Sequence, residues 1–390
     1  MKEKNITMVC IFLIGIINIF SFIQTPYISI FYSLKLISFV AVTLLLLITG
    51  LKSKNKIDSP NFIVTFTMLI WLFMLMPSMF IINGSELNGF SLFISYALLG
   101  IFSFLLIPIN INRFDLYLKL SKVWISVLGF SILISVVLSL IGFTEKYYID
   151  PSTSRIRYVF SFINPNSLGL FCYIILIIIL TRYLINKTDL KSMFKYIIML
   201  IPFMYILILS DSRTAMYSLF VWVGVYTLLF ISRNQTFNII TFTSVIVIVL
   251  IILGNTNVDT DNLDVLLSNR ISNWMTLINS LQGTELFFGN GIGILAADLG
   301  VITFDNSYIS FFIKSGLFGI VGMCIFIIVL FVQISKINNY KLKSIAFATF
   351  SSWLVYCLFE SAFFSLGNLA SVIIWCELGL LISSNNFIKK

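Results

Sequence analysis

The side chains best suited to chemistry fall in four short motifs between residues 155 and 308 of a 390-residue chain. Arg155-Ile156-Arg157 precedes Asn164-Pro165-Asn166, and Ser210-Asp211-Ser212-Arg213 follows some fifty residues later. Arg270-Ile271-Ser272-Asn273-Trp274 then leads to Gly289-Asn290-Gly291-Ile292-Gly293, and the last motif is Asp305-Asn306-Ser307-Tyr308. The planar fork of an arginine matches two oxygens of a phosphate group. Amides and hydroxyls at Asn164, Asn166, Ser212, Asn306 and Tyr308 could add hydrogen bonds, and a carboxylate such as Asp305 could accept a proton. With no histidine in the chain, histidine bases and histidine metal sites are excluded.

The elements that must position these groups are read from composition. The chain is 59% hydrophobic and 11% charged, with 39 Phe. A soluble domain is about half apolar and a quarter charged, so this chain needs lipid as solvent. Apolar runs long enough to span a bilayer lie near 6–23, 28–51, 61–82, 89–109, 122–143, 165–184, 193–210, 213–232, 237–254, 305–333, 344–361 and 367–384. The expectation is an all-α integral membrane protein of about twelve transmembrane helices, forming one polytopic domain over 1–390. Residues 255–304, between helices nine and ten, form a long external loop covering the site. The first run has no small-residue cleavage site after it and reads as a retained helix.

Lysines and arginines set the orientation. With the N-terminus inside, all but seven of the 25 basic residues fall on inner segments, as the positive-inside bias requires. Both termini are therefore expected in the cytoplasm. The formal charge of +9 is thereby accounted for without a nucleic-acid partner. The seven exceptions are Lys35, Lys146, Arg155, Arg157, Arg213, Arg270 and Lys314. Lys35 reads as a residue that snorkels to the outer interface, and Lys146 lies in a polar loop.

Proline just inside a helix start, preceded by asparagine, marks a helix N-terminus at Asn164-Pro165. In this topology helices six, eight and ten all begin at the outer face, with unpaired N–H groups and positive dipole ends directed outward. Arg157, Arg213 and Arg270 coincide with them. Two readings stand side by side: ordinary caps with interfacial arginines, or a binding site for a pyrophosphate-bearing lipid.

The four motifs, in this order and with the long loop between helices nine and ten, resemble the Wzy-type O-antigen and capsule polymerase and O-antigen ligase superfamily. The matching segments are Arg157 to Gly169, Ser210 to Ala215, Arg270 to Gly293, and Asp305 to Gly319, within roughly the last 60% of the chain. The resemblance implies a metal-independent glycosyltransferase that needs no cofactor. It would join undecaprenyl-pyrophosphate-linked oligosaccharides at the periplasmic or extracellular face of the bacterial cytoplasmic (inner) membrane, in lipopolysaccharide or capsule synthesis. Arg157, Arg213 and Arg270 would hold the pyrophosphates, with Arg155 and the amides and hydroxyls above as substrate contacts. A chain-length regulator protein is a further partner that such enzymes imply. Ligases carry a histidine at the position of Asp305, so Asp305 points to the polymerase branch. As a residue it could be the general base, the cap of helix ten, or both. The ligase and a flippase of lipid-linked oligosaccharide remain the alternatives. A carrier should show internal repeats and polar breaks near mid-membrane, and neither is evident.

Other charges have plainer readings. Asp259-Thr260-Asp261 has the form of a metal–nucleotide-sugar motif, but nucleotide sugars are cytoplasmic and this loop is external, so it reads as a solvated acidic turn. Asp264 does not complete a calcium loop, for Leu263 occupies a ligand position. Lys314 and Glu377 lie about 14–15 Å down their helices. A lone charge there costs roughly 2.5–3.5 kcal/mol, and the two are expected to form an ion pair. Glu360, at the outer end of helix eleven, could touch substrate. Gly316, Gly319 and Gly322 read as a close-packing stripe. All five cysteines lie inside apolar runs, so no disulfide framework is expected.

Overall fold

The computed structural model describes residues 2–24, 28–52, 59–80, 86–111, 114–149, 156–186, 190–232, 270–301 and 303–386. Helices α1 (Lys2–Phe20), α2 (Ile28–Lys52) and α3 (Ser59–Phe80) come first. Next, α4 (Glu86–Gly100) runs through a π-helical turn, Ile101–Leu106, into α5 (Ile107–Asn110). Then come α6 (Phe114–Leu140), a hairpin of β1 (Tyr147–Ile149) and β2 (Ile156–Tyr158), α7 (Pro165–Ile185), α8 (Leu190–Leu209) and α9 (Arg213–Ser232). After the undescribed 233–269 follow α10 (Arg270–Asn279), α11 (Glu285–Phe288), α12 (Ser307–Ser335), α13 (Tyr340–Phe359) and α14 (Leu369–Ile382).

Among the described residues, eight helices are long and apolar enough to cross a membrane, and three shorter apolar helices lie at Ile11–Phe20, Met193–Leu209 and Leu369–Ile382. This is the architecture of a multi-pass, all-α membrane protein. The expected ninth run, 237–254, lies outside the described residues, as does 255–269 of the loop. The sequence did not foretell the hairpin within 144–164 or the π-helical turn.

Two helices are apolar on every side and sit inside the bundle. Every residue of α14 is buried, as is most of α7. A helix without a polar face belongs in the core. By contrast α3 and α8 expose Phe73, Phe80, Ile201 and Ile208, apolar faces that suit lipid contact. One core of buried residues runs from Ile11 in α1 to Ile382 in α14.

The glycine stripe on α12 has two jobs. At Gly322 an added Cβ would meet the ring of Trp71 at 2.7 Å, and Trp71 Nε1 donates to the Gly319 carbonyl at 3.1 Å. These glycines let α3 and α12 approach closely, as expected. Gly316 instead breaks the helix, with φ +61° and ψ −159°. The turn beginning at Gly289 (φ +78°) packs into that break. Asn290 N–H donates to the Ile313 carbonyl at 2.7 Å and Gly291 N–H to the Lys314 carbonyl at 3.2 Å. Both carbonyls would otherwise lack partners. A small apolar cluster of Leu277, Leu281, Val301 and Ile313 fastens the described part of the loop to α12.

Candidate functional site

The hairpin carries Arg157, which pairs across the strands with Tyr148. Lys146 lies 5.2 Å from the Tyr147 ring and 5.9 Å from that of Tyr158. Beyond β2 the chain turns sharply through Phe160 and Ser161, both at positive φ, and Ser161 Oγ ties the turn to the Ser135 carbonyl at 2.8 Å. So held, Arg157 reaches the end of α8. Its Nε donates to the Ser210 carbonyl at 3.1 Å and its Nη2 to the Asp211 carbonyl at 2.9 Å. Helix ends leave such carbonyls unsatisfied and partly negative. Asp211 adopts the left-handed conformation (φ +47°), which aspartate tolerates better than most residues.

Arg157 Nη2 also donates to Asn166 Oδ1 at 2.7 Å, and Asn166 Nδ2 donates to Glu360 Oε1 at 2.8 Å. One orientation of the Asn166 amide satisfies both bonds. From the other side Arg270, first residue of α10, donates to the Phe359 carbonyl and lies 3.5 Å from Glu360 Oε1. Glu360 closes α13, and its carbonyl accepts Ser307 Oγ at 2.7 Å. Ser307 Oγ accepts in turn from the N–H groups of Ala362 and Phe363 at 3.0 and 3.1 Å. The starts of α7 and α10 thus meet at the Glu360 carboxylate at the end of α13, while the end of α8 joins through Arg157 and the start of α12 through the Glu360 backbone carbonyl.

Burial is the largest influence on Glu360 and raises its pKa. The Arg270 charge lowers it, Asp305 raises it and Arg157 lowers it, leaving the carboxyl pushed up to about 7. Its side chain still keeps 24% exposure, so a ligand has access to it. A carboxyl poised near neutrality between two guanidiniums can give or take a proton under ordinary conditions.

The other sequence-derived candidates divide. Asn164 caps α7 through Ser167 N–H at 2.7 Å, and Asn306 caps α12 through the N–H groups of Tyr308 and Ile309. The cap of the tenth expected helix is therefore Asn306 and not Asp305. Asp305 accepts the Thr303 hydroxyl at 2.6 Å. Ser212 is buried and fills the space that a Cβ on Gly169 would occupy, which makes it a packing residue between α7 and α9. Tyr308 donates its hydroxyl to the Leu354 carbonyl at 2.8 Å, inside the bundle. Arg213 opens α9, half-buried. Arg155 lies outside the described residues, as do Asp259, Asp261 and Asp264.

One expectation fails. Lys314 and Glu377 do not pair: Lys314 Nζ sits 4.9 Å from the Phe304 ring, and Glu377 Oε2 accepts the Tyr117 hydroxyl at 2.9 Å. Lys314 packs on the segment before α12 and Glu377 against the start of α6, partners that counting residues along each helix could not resolve. Lys35 is buried, with its ammonium directed to the residues just past the end of α1. It is 7% exposed, donates to Ser21 Oγ at 3.5 Å and lies 5.3 Å from the Phe22 ring.

What sequence reasoning undervalued was Glu360. The available signal was an acidic residue closing an apolar run, and it was noted only as a substrate contact. Its partnership with Asn166 and Arg270 spans 194 and 90 residues, beyond the reach of local pattern. Among the described residues no three His, Cys, Asp or Glu side chains gather as a metal site.

Fold and site define a multi-pass, all-α membrane protein whose helix ends converge on a carboxylate held between arginines. No family model matches the chain, and no curated protein matches it.

Proposed function

We propose that the chain is a Wzy-type repeat-unit polymerase, joining undecaprenyl-pyrophosphate-linked oligosaccharides by glycosyl transfer on the outer face of the bacterial cytoplasmic membrane. The observation that carries this reading is Glu360, a carboxyl raised toward neutrality and bracketed by Arg270 and, through Asn166, Arg157. The four sequence motifs support it, because three of them supply the residues around that carboxyl. The bias of lysines and arginines supports an orientation with both termini in the cytoplasm and this cluster outside.

In the proposed reaction, the growing saccharide on its lipid pyrophosphate is the donor. The terminal hydroxyl of a new lipid-linked unit gives its proton to Glu360 as its oxygen attacks the anomeric carbon. The bond from that carbon to the pyrophosphate oxygen breaks, and lipid pyrophosphate leaves with the electron pair. Arg157, Arg270 and Arg213 stabilise the charge that develops. Each arginine already bonded within the fold is fixed before the reaction, so little reorganisation is needed. Asp305 acts on the base: its charge raises Glu360 and makes it a better proton acceptor.

The test uses purified protein and lipid-linked repeat unit with no other protein. A ladder of lengthening lipid-linked saccharides supports the polymerase. No ladder, with the lipid crossing liposomes unchanged, would remove it in favour of a carrier.

A further inference from the structure

A second cationic region lies beside the carboxylate cluster. A cavity of about 370 Å³ opens between α2, α4, α12 and the segment from Ser361 to Gly367. Lys35 and Lys314 both line it. Ser95, Ser307, Ser310 and Ser361 share its wall, Ser95 and Ser307 with their hydroxyl protons already given to the Ser91 and Glu360 carbonyls, and among the described residues no carboxylate lines it. The remaining wall is largely aromatic and aliphatic, with Phe311, Phe364 and Leu366. Two ammonium groups, with serines and no described acid beside them, make a wall complementary to an anion of more than one charge. Leu36 lines the edge and is 44% exposed on the apolar face of α2. The cavity therefore has an apolar exit toward the lipid-facing side.

The surroundings hold the lysines in place. The Lys314 carbonyl accepts from Gly291 N–H, two residues before the helix break at Gly316. A Cβ on Gly367 would meet Lys35 Nζ at 3.3 Å, so the ammonium packs closely against the glycine backbone there. Ser307 and Ser361 join this cavity to the Glu360 cluster, since Ser307 bonds the Glu360 carbonyl and Ser361 is its neighbour.

We propose that the cavity is a second anion subsite, taking the pyrophosphate of a prenyl-linked substrate, with its hydrocarbon chain leaving past Leu36. Its biological substrate rests on the glycosyl-transfer reading above, which needs two lipid pyrophosphates held at once. The arginines would serve one and the lysines the other.

Binding is measured on the full chain in nanodiscs, with farnesyl diphosphate and inorganic pyrophosphate as separate probes. Lys35→Met and Lys314→Met should each weaken farnesyl diphosphate binding at least tenfold, with Lys314→Arg restoring it to within threefold. Unchanged thermal unfolding shows that each variant is folded. Tighter binding of farnesyl diphosphate than of pyrophosphate identifies the lipid as the source, and equal binding identifies the free anion. Wild-type affinity in the doubly substituted Lys35→Met/Lys314→Met protein, or no binding by the wild type, overturns the subsite. A protein that binds through these lysines but forms no saccharide ladder keeps the subsite and loses the polymerase reading.

Discussion

Two glutamates in the last quarter of the sequence meet very different surroundings. Glu360 ends α13, where the chain leaves the bundle, and is approached by Arg270 and Asn166 with Arg157 behind. Glu377 lies within α14, 5% exposed, with one oxygen bonded to Tyr117 and the other without a hydrogen-bond partner among the described residues. Buried acids are costly in both settings. At Glu360 the cost is offset by the Arg270 charge and by partial exposure of the side chain, whereas Glu377 has a single hydroxyl partner. On the proposed reading, the difference makes Glu360 the reactive acid and Glu377 a structural one.

The sharpest way to break that contrast is to neutralise each acid in turn. Glu360→Gln should slow ladder formation by about 10²–10⁴-fold, the span of a lost general base, while Glu377→Gln keeps most of the activity. Equal losses would erase the distinction. The pH profile follows from the raised pKa. Below about 7 Glu360 is protonated and cannot accept a proton, so the rate should climb about tenfold per pH unit and level off above about 7. In the same window the folded state binds the extra proton, so the contribution of Glu360 to stability falls as pH rises from its ordinary value toward 7. Glu360→Gln should flatten both trends.

Arg270→Gln comes next, with an expected loss of about 10²–10³-fold. It removes the charge that most favours the ionised carboxylate, so the inflection of any remaining activity should move to higher pH. A rate loss with no movement of the inflection would mean that Arg270 acts on substrate alone.

Much of this site is legible in the sequence, and for physical reasons. Asn164-Pro165 marked a helix start because a cap side chain and a fixed φ are local properties. Asn306 carried the same local signal, yet Asp305 beside it drew the assignment. Arg157 and Arg270 stood out because the charge bias disfavours them on that side. Glu360 and Lys35 could not be placed this way, because their partners come from α7, α10 and the end of α1, far along the chain. The break at Gly316 was equally hidden: three glycines at threefold spacing look alike in sequence, and only the seat for the Gly289 turn separates the first from the other two.

That seat gives the next prediction, which asks whether the loop holds the Glu360 end of the bundle in shape. Gly316→Ala places a side chain at φ +61° and against the Phe287 backbone, where a Cβ would lie 2.3 Å from its carbonyl carbon. Left-handed strain alone costs on the order of 1–3 kcal/mol, and the contact adds to it. Thermal unfolding should begin several degrees lower, with activity lost in parallel. The equivalent change at Gly224, inside α9 where a Cβ meets nothing within 4 Å, should leave activity unchanged and unfolding no earlier.

The smallest effect is expected at the other glutamate. Tyr117→Phe deletes the hydroxyl that Glu377 Oε2 accepts, leaving both carboxyl oxygens without the partners seen here. An unsatisfied buried acceptor costs about 1–3 kcal/mol, so the melting temperature should fall modestly while the saccharide ladder keeps its length. Adding Glu377→Leu should recover part of that loss, since removing both members of a buried polar pair is often close to neutral. If Tyr117→Phe instead shortens the ladder without lowering the melting temperature, Glu377 takes part in the reaction, and its isolation from the arginines must be explained by proton or substrate movement through the bundle.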